Sequence, residues 1–174
     1  MKQTIKVKVL TEGCLPQITA KGDWIDLRAA EDVHLSAPYA LTKSKKGNES
    51  SRVVVFPTKA VPLGIAMQLP DGCEGIAALR SSSNSSYNII QSNSPGVIDQ
   101  PYKGDNDQWY LPIIATGKVD IKKGDRICHF RIQLSQKATI WQKIKWLLSS
   151  GVKIEVVTNL GNPDRGGLGH SGKR

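Results

Sequence analysis

Apolar and polar residues alternate from the first positions of the chain. In IKVKVL (5–10) the apolar side chains fall on every second residue, the period of a strand with one buried face. Similar short runs recur at Ile25–Leu27, Val33–Leu35, Val53–Phe56, Gly64–Leu69, Gly75–Leu79, Asn88–Ile90, Gly96–Ile98, Trp109–Ala115, Arg126–Ile132 and Val152–Thr158. Leu-Pro steps, Pro70-Asp71-Gly72 and clusters of Ser and Asn separate them, and each is a turn signal. Many short strands with such punctuation predict an all-β fold: a sandwich, a barrel or a jelly roll.

One stretch breaks the pattern. Over 138–149, Ile140, Trp141, Ile144, Leu147 and Leu148 recur at helical spacing, with Lys137, Lys143 and Lys145 among the polar positions. Ser149-Ser150-Gly151 supplies a stop, because Gly accepts the left-handed conformation. A short helix is predicted, packed on its own domain or on a sister subunit. A basic helix lying on a membrane surface is the less favoured reading. Thr42–Ser51 (TKSKKGNESS) has no apolar residue and is expected to be an exposed, mobile loop. Arg80–Ser86 (RSSSNSS) also reads as a loop. The glycine-rich end cannot supply a core of its own. The chain therefore divides into a β domain over 1–160 and a flexible tail over 161–174.

Composition narrows the class. Hydrophobic residues make up 39% and charged residues 22%, which fits a globular chain and not a disordered one. No apolar run approaches the ~18 residues of a membrane span, and the start lacks the hydrophobic stretch of a secretory signal. Cys14, Cys73 and Cys128 are odd in number and widely spaced, so neither a disulfide framework nor a Cys-based zinc site is expected, and a reducing cytoplasm is. Lys and Arg number 24 against 15 Asp and Glu, for a net charge of +9, and residues 118–174 hold twelve of the basic groups and four of the acidic ones. A basic segment attracts polyanions, whether nucleic acid, an anionic membrane or a phosphate ester, or is simply a solvated face.

Five short segments combine residues suited to phosphate chemistry: Gly22-Asp23-Trp24-Ile25-Asp26-Leu27; Arg80-Ser81-Ser82; Gly96-Val97-Ile98-Asp99-Gln100-Pro101-Tyr102-Lys103-Gly104-Asp105; Gly124-Asp125-Arg126-Ile127-Cys128-His129; and Arg165-Gly166-Gly167-Leu168-Gly169-His170-Ser171-Gly172. Each alone is weak. In this order and spacing, from 21 to 172, they resemble the five motifs of the trimeric dUTP diphosphatase (dUTPase) family. The third is the most specific, and GVIDQPYKGDNDQW is similar to the bacterial or phage branch.

The resemblance implies a distorted, jelly-roll-like β-barrel, with the helix at about 138–149 and the loop at 42–51 as additions. It implies a homotrimer with shared active sites that hydrolyses dUTP to dUMP and pyrophosphate with Mg²⁺, keeping uracil out of DNA and supplying dUMP. By similarity, Asp99 activates the attacking water, a role a lone carboxylate within hydrogen-bond reach can fill. Tyr102 packs under the deoxyribose and leaves no room for a 2′-hydroxyl. Asn93, Gly96, Val97 and Ile98 belong to the uracil-binding hairpin, where missing hydrogen bonds reject the wrong base. Arg80, Ser81 and Ser82 meet the triphosphate from a neighbouring subunit, with His129 a further phosphate contact. Arg165, Leu168, Gly169, His170 and Ser171 close over the phosphates. Asp26 is linked to Mg²⁺ through the metal's waters, since Mg²⁺ keeps water and phosphate oxygens in preference to a protein cage.

The chain departs from the family pattern in places. His129 stands where Gln is common, so phosphate contact becomes pH-sensitive, or the residue is a strand His facing a polar neighbour. Leu168 replaces a Phe and implies weaker stacking on uracil. Ser85 and Asn88 stand where the second motif continues with Lys or Gly, and Asn tolerates positive φ. The alternatives are a dCTP deaminase-like enzyme of the same fold, which would need a Glu acid/base near the nucleobase, and a low-activity nucleotide-binding regulator. No membrane or nucleic-acid partner is expected: aromatics are only 6% and no base-stacking platform is evident.

Overall fold

The computed structural model describes residues 1–20, 22–44 and 50–166. Its elements in chain order are β1 (Gln3–Val9), β2 (Gln17–Ile18), β3 (Ile25–Arg28), β4 (Val33–Leu35), β5 (Tyr39–Ser44), β6 (Ser50–Val55), β7 (Thr58–Gln68), β8 (Cys73–Leu79), α1 (Ser83–Tyr87), β9 (Ile89–Gln91), β10 (Gly96–Ile98), β11 (Gln108–Ala115), β12 (Val119–Ile121), β13 (Arg126–Leu134), α2 (Ile140–Leu147) and β14 (Val152–Val156). One five-stranded sheet has the order β14-β1-β7-β11-β9 and a second the order β10-β8-β13-β3-β2; β12–β4 and β5–β6 form two small pairs.

Alternation in the sequence decides which faces meet. Along β11, Trp109, Leu111, Ile113 and Ala115 are buried while Tyr110 points outward. Ile5, Val7, Leu63, Ile65 and Met67 join them from the first sheet; Ile25, Leu27, Ile127, Phe130 and Ile132 come from the second. Trp109 meets Phe130 edge-on across the layers, with ring centroids 5.1 Å apart. Such an aromatic pair adds to the area that both rings bury.

The all-β, jelly-roll-like expectation holds, with two corrections. Among the described residues the two large sheets share no strand, so the framework is an open sandwich and not a closed barrel. Among the described residues two helices are present instead of one, because Arg80–Ser86 is not a plain loop: α1 begins within it. Ser83 is buried and donates its hydroxyl to the Ile127 carbonyl at 2.7 Å, a tertiary contact that outweighs the poor helix propensity of serine. Asn88 ends the helix at φ 54°, the left-handed position its side chain tolerates.

The expected loop at 42–51 is also corrected at both ends. Thr42–Ser44 and Ser50–Ser51 belong to an antiparallel hairpin running from Tyr39↔Val55 to Ser44↔Ser50. Ladder bonds join backbone groups whatever the side chains are. Residues 45–49 lie outside the described residues.

Helix α2 falls where its periodicity placed it. Thr139 and Gln142 form a reciprocal capping box, and Gly151 follows at φ +92°. Of the two expected packing places, its own domain or a sister subunit, the stripe does not take the first: Ile140, Trp141, Leu147 and Leu148 are each more than 70% exposed. Trp146, outside that stripe, lies against the core instead and ties the helix down. No helix among the described residues is long and apolar enough to cross a membrane.

Candidate active site

Three of the motif segments meet on the second sheet. β3 carries Asp26, the chain leaving β8 carries Arg80, and β13 carries Arg126 and His129. In the ladders, His129 lies opposite Asp26 on one side and Ala78 on the other. Asp26 is only 5% exposed. Its two oxygens pair with Arg80 Nε at 3.2 Å and Arg126 Nη1 at 3.0 Å. A buried carboxylate needs such partners to remain charged. Arg126 has no role in the sequence reading of the fourth motif; the ladder shifts register between Arg126 and Cys128, so strand alternation does not mark it, and the fold alone brings it to Asp26. Ser81 and Ser82 are exposed just beyond Arg80, and Ser82 is the residue before α1.

His129 stacks on Trp24 with centroids 4.6 Å apart, and the Arg131 guanidinium carbon stands 5.8 Å from the Trp24 ring centre. Burial pushes the His129 pKa below its ordinary value; Asp26 opposes the shift and Arg80 adds to it. The ring is therefore neutral at pH 7 and gains charge only on acidification.

The third motif forms a separate corner. Gln91 ends β9 in the first sheet, and the chain crosses through Ser92–Pro95 to β10 in the second, so β9 and β10 do not pair with each other as a hairpin. Gln91 is nearly buried and donates Nε2 to the Asn93 side-chain oxygen and to the Ala77 carbonyl, both at 3.2 Å. A Cβ on Gly96 would stand 2.9 Å from that same Nε2, so a larger residue there would displace the Gln91 amide. Val97 is exposed and Ile98 is partly buried against the core.

Asp99 follows β10 in a turn closed by the Tyr102 N–H donating to the Asp99 carbonyl at 3.0 Å. Its carboxylate is about half exposed and faces Arg165 Nη1 at 3.1 Å. Tyr102 donates its hydroxyl to the Gln108 carbonyl at 2.6 Å, which fixes the ring. Burial, reinforced by nearby Asp107, pushes the Tyr102 pKa up to about 12, so the phenol stays protonated as a donor. Leu168, Gly169, His170 and Ser171 lie outside the described residues.

One chain does not bring the two groups together. Ile98 pairs with Gly75 at one end of β8, while Arg80 follows the other end. Five residues of strand separate those points, about 17 Å at ~3.3 Å per residue.

The open β sandwich thus carries two arginines paired on a buried carboxylate at one flank and an Asp–Arg pair, about half exposed, at another. A dUTPase family model matches residues 46–156. The SPbeta prophage-derived deoxyuridine 5'-triphosphate nucleotidohydrolase YosS of Bacillus subtilis is 44% identical over 154 residues, covering 88% of this chain and 87% of that protein. A deoxyuridine 5'-triphosphate nucleotidohydrolase of a Thermoanaerobacter species is 32% identical, covering 72% and 77%. The fold is similar to that of the Streptococcus mutans dUTPase, with a TM-score of 0.58 at 22% identity over 74% of this chain and 94% of that one. It is also similar to a dUTPase from phage phi11 of Staphylococcus aureus, described with a structural Mg(II) ion, with a TM-score of 0.59 at 16% identity over 78% and 94%. This chain belongs to the dUTPase family.

Proposed function

We infer that the protein hydrolyses dUTP to dUMP and pyrophosphate. The observation that carries this reading is the third-motif corner: a half-exposed Asp99 carboxylate beside a fixed Tyr102 ring, at the end of a strand whose entry loop is braced from beneath by Gln91. Asp99 accepts the proton of a water aimed at the α-phosphorus. The Tyr102 ring lies against the deoxyribose, and the main chain of 93–98 reads the uracil edge. A loop held this rigidly discriminates through hydrogen bonds that a wrong base leaves unmade.

The roughly 17 Å of strand between Gly75, where Ile98 pairs, and Arg80 supports a homotrimer in which a neighbouring subunit supplies Arg80, Ser81 and Ser82 to the triphosphate. The donor set suits Mg²⁺ in one manner only. Among the described residues no three His, Cys, Asp or Glu stand together, and both Asp26 oxygens hold arginines. That fits a hard cation carried mainly by phosphate oxygens and water. Asp26 would be the residue that holds such an ion, through the ion's waters. The ion supplies charge neutralisation on the phosphates.

The test is to incubate the protein with Mg²⁺ and each deoxynucleoside triphosphate and to measure pyrophosphate and ammonia. Pyrophosphate from dUTP alone is expected. Ammonia from dCTP would show the deaminase alternative, and neither product would show a binding module.

His129 gives a pH prediction. Its folded pKa is depressed, so acidification through the ordinary histidine range both charges the ring and lowers stability. The added cation stands near Arg80 and favours the triphosphate. From pH 7 to pH 5 the KM for dUTP is expected to fall by about twofold to fivefold relative to His129→Gln, as suits a partly exposed charge worth ~0.3–1 kcal/mol. Parallel KM profiles for the two proteins would contradict it.

A further inference from the structure

Asp107 is 1% exposed, and nothing in the hydrolytic reading gives it a task. Its carboxylate accepts the Gly104 N–H at 2.8 Å, the Arg165 N–H at 3.0 Å to each oxygen, and the Gly166 N–H at 3.1 Å. Asp164, just before, accepts the Asn106 N–H at 2.8 Å and its side-chain Nδ2 at 2.7 Å. Asp105 accepts the Leu160 N–H at 2.9 Å and Lys8 Nζ at 3.0 Å. Three consecutive residues, Asp105-Asn106-Asp107, thus hold the chain from 160 to 166 at successive points.

The contact between the two segments is backbone on backbone. A Cβ on Gly104 would stand 2.7 Å from the Asp164 nitrogen, so the loop accepts the strap only because that position is glycine. The strap delivers Arg165, whose Nη1 is 3.1 Å from Asp99 Oδ2. Asp107 and the strap depend on each other. A buried carboxylate without donors is strongly unfavourable, and two of its three donor groups come from the strap.

We propose that Asp107 is a positioning residue of the hydrolytic site. It clasps the root of the C-terminal segment to the third-motif loop and so fixes the Arg165 guanidinium beside Asp99. The kinetic consequence rests on the dUTP reading, whereas the clasp itself can be tested without substrate.

Trypsin cleavage after Arg165 reads the clasp directly, because the Gly166 N–H at that bond is held by Asp107. With the full chain, followed by intact mass, cleavage there is expected to be at least about tenfold faster in Asp107→Ala, the loss of roughly 1.4 kcal/mol of local protection. Gly104→Ala leaves the Asp107 carboxylate intact, and its φ lies outside the positive range, so it serves as a second variant that displaces Asp164 by sterics alone. It is expected to act in the same direction. On dUTP, Asp107→Ala is expected to lower kcat/KM about tenfold in the parental background and less than about twofold in an Arg165→Ala background, since it acts through Arg165. Equal trypsin rates in parent and variants, or an equal kinetic loss in both backgrounds, would overturn the proposal. A parent that releases no pyrophosphate from dUTP would defeat the functional reading, while the trypsin comparison still decides the clasp.

Discussion

Asp99→Asn is expected to lower kcat for dUTP by about 10²- to 10⁴-fold, the range for loss of a general base. Asparagine keeps the shape of the side chain and one acceptor oxygen but cannot take the proton. The same change removes the ion pair with Arg165, in which both side chains are about half exposed. An exposed pair of that kind contributes at most ~1 kcal/mol. Thermal stability should therefore move little while turnover collapses. Binding of the imido analogue dUpNHpp, with which a mutant of the Staphylococcus bacteriophage 80alpha dUTPase has been described, should stay within a few fold of the parent by calorimetry. Turnover at the parental rate would remove Asp99 from the mechanism. A large loss of binding with kcat preserved would make it a binding residue only.

Trp109→Ala is expected to destabilise the fold by about 3–5 kcal/mol, the range for removing a large buried aromatic side chain. Trp109 is 2% exposed, sits on the inner face of β11, and meets Phe130 of the opposite sheet. Its loss leaves a cavity between the two layers, which backbone ladders on either side prevent from closing. Trp109→Phe should recover part of the loss. Denaturant unfolding at a fixed protein concentration measures it, since any association would shift the midpoint. A change below about 1 kcal/mol would show that the layers are not held at this contact.

The framework was readable where the chemistry is local. The alternation over 109–115 gave β11 and its buried face, and the stripe at 140–148 gave α2. The missed elements depend on distant partners. Strand β12 is three residues, Val119-Asp120-Ile121, too short for its alternation to stand out in the sequence, and pairing with β4 fixes it. Helix α1 is built from serines that favour it little, and what holds it is the Ser83 bond to Ile127, 44 residues away. The outward turn of the α2 stripe was illegible for a related reason: periodicity marks an apolar face but not which neighbour covers it.

The site divides in the same way. Asp26, Arg80, Asp99, Tyr102 and Arg165 are candidates because the five motifs keep a fixed order. Arg126 lay inside one of those motifs, yet its pairing with Asp26 spans 100 residues of sequence. Asp107 gave no signal at all, because its partners at Arg165 and Gly166 lie 58 and 59 residues further on. A carboxylate after a glycine turn looks like any solvated acid until the fold brings donors to it.

The most direct measurement of the central claim, that Asp99 directs a water at the first phosphorus of dUTP, is hydrolysis in ¹⁸O-labelled water followed by mass spectrometry of both products. The account predicts one labelled oxygen in dUMP and none in pyrophosphate. Label in the pyrophosphate would place the attack on another phosphorus and contradict the assignment of Asp99.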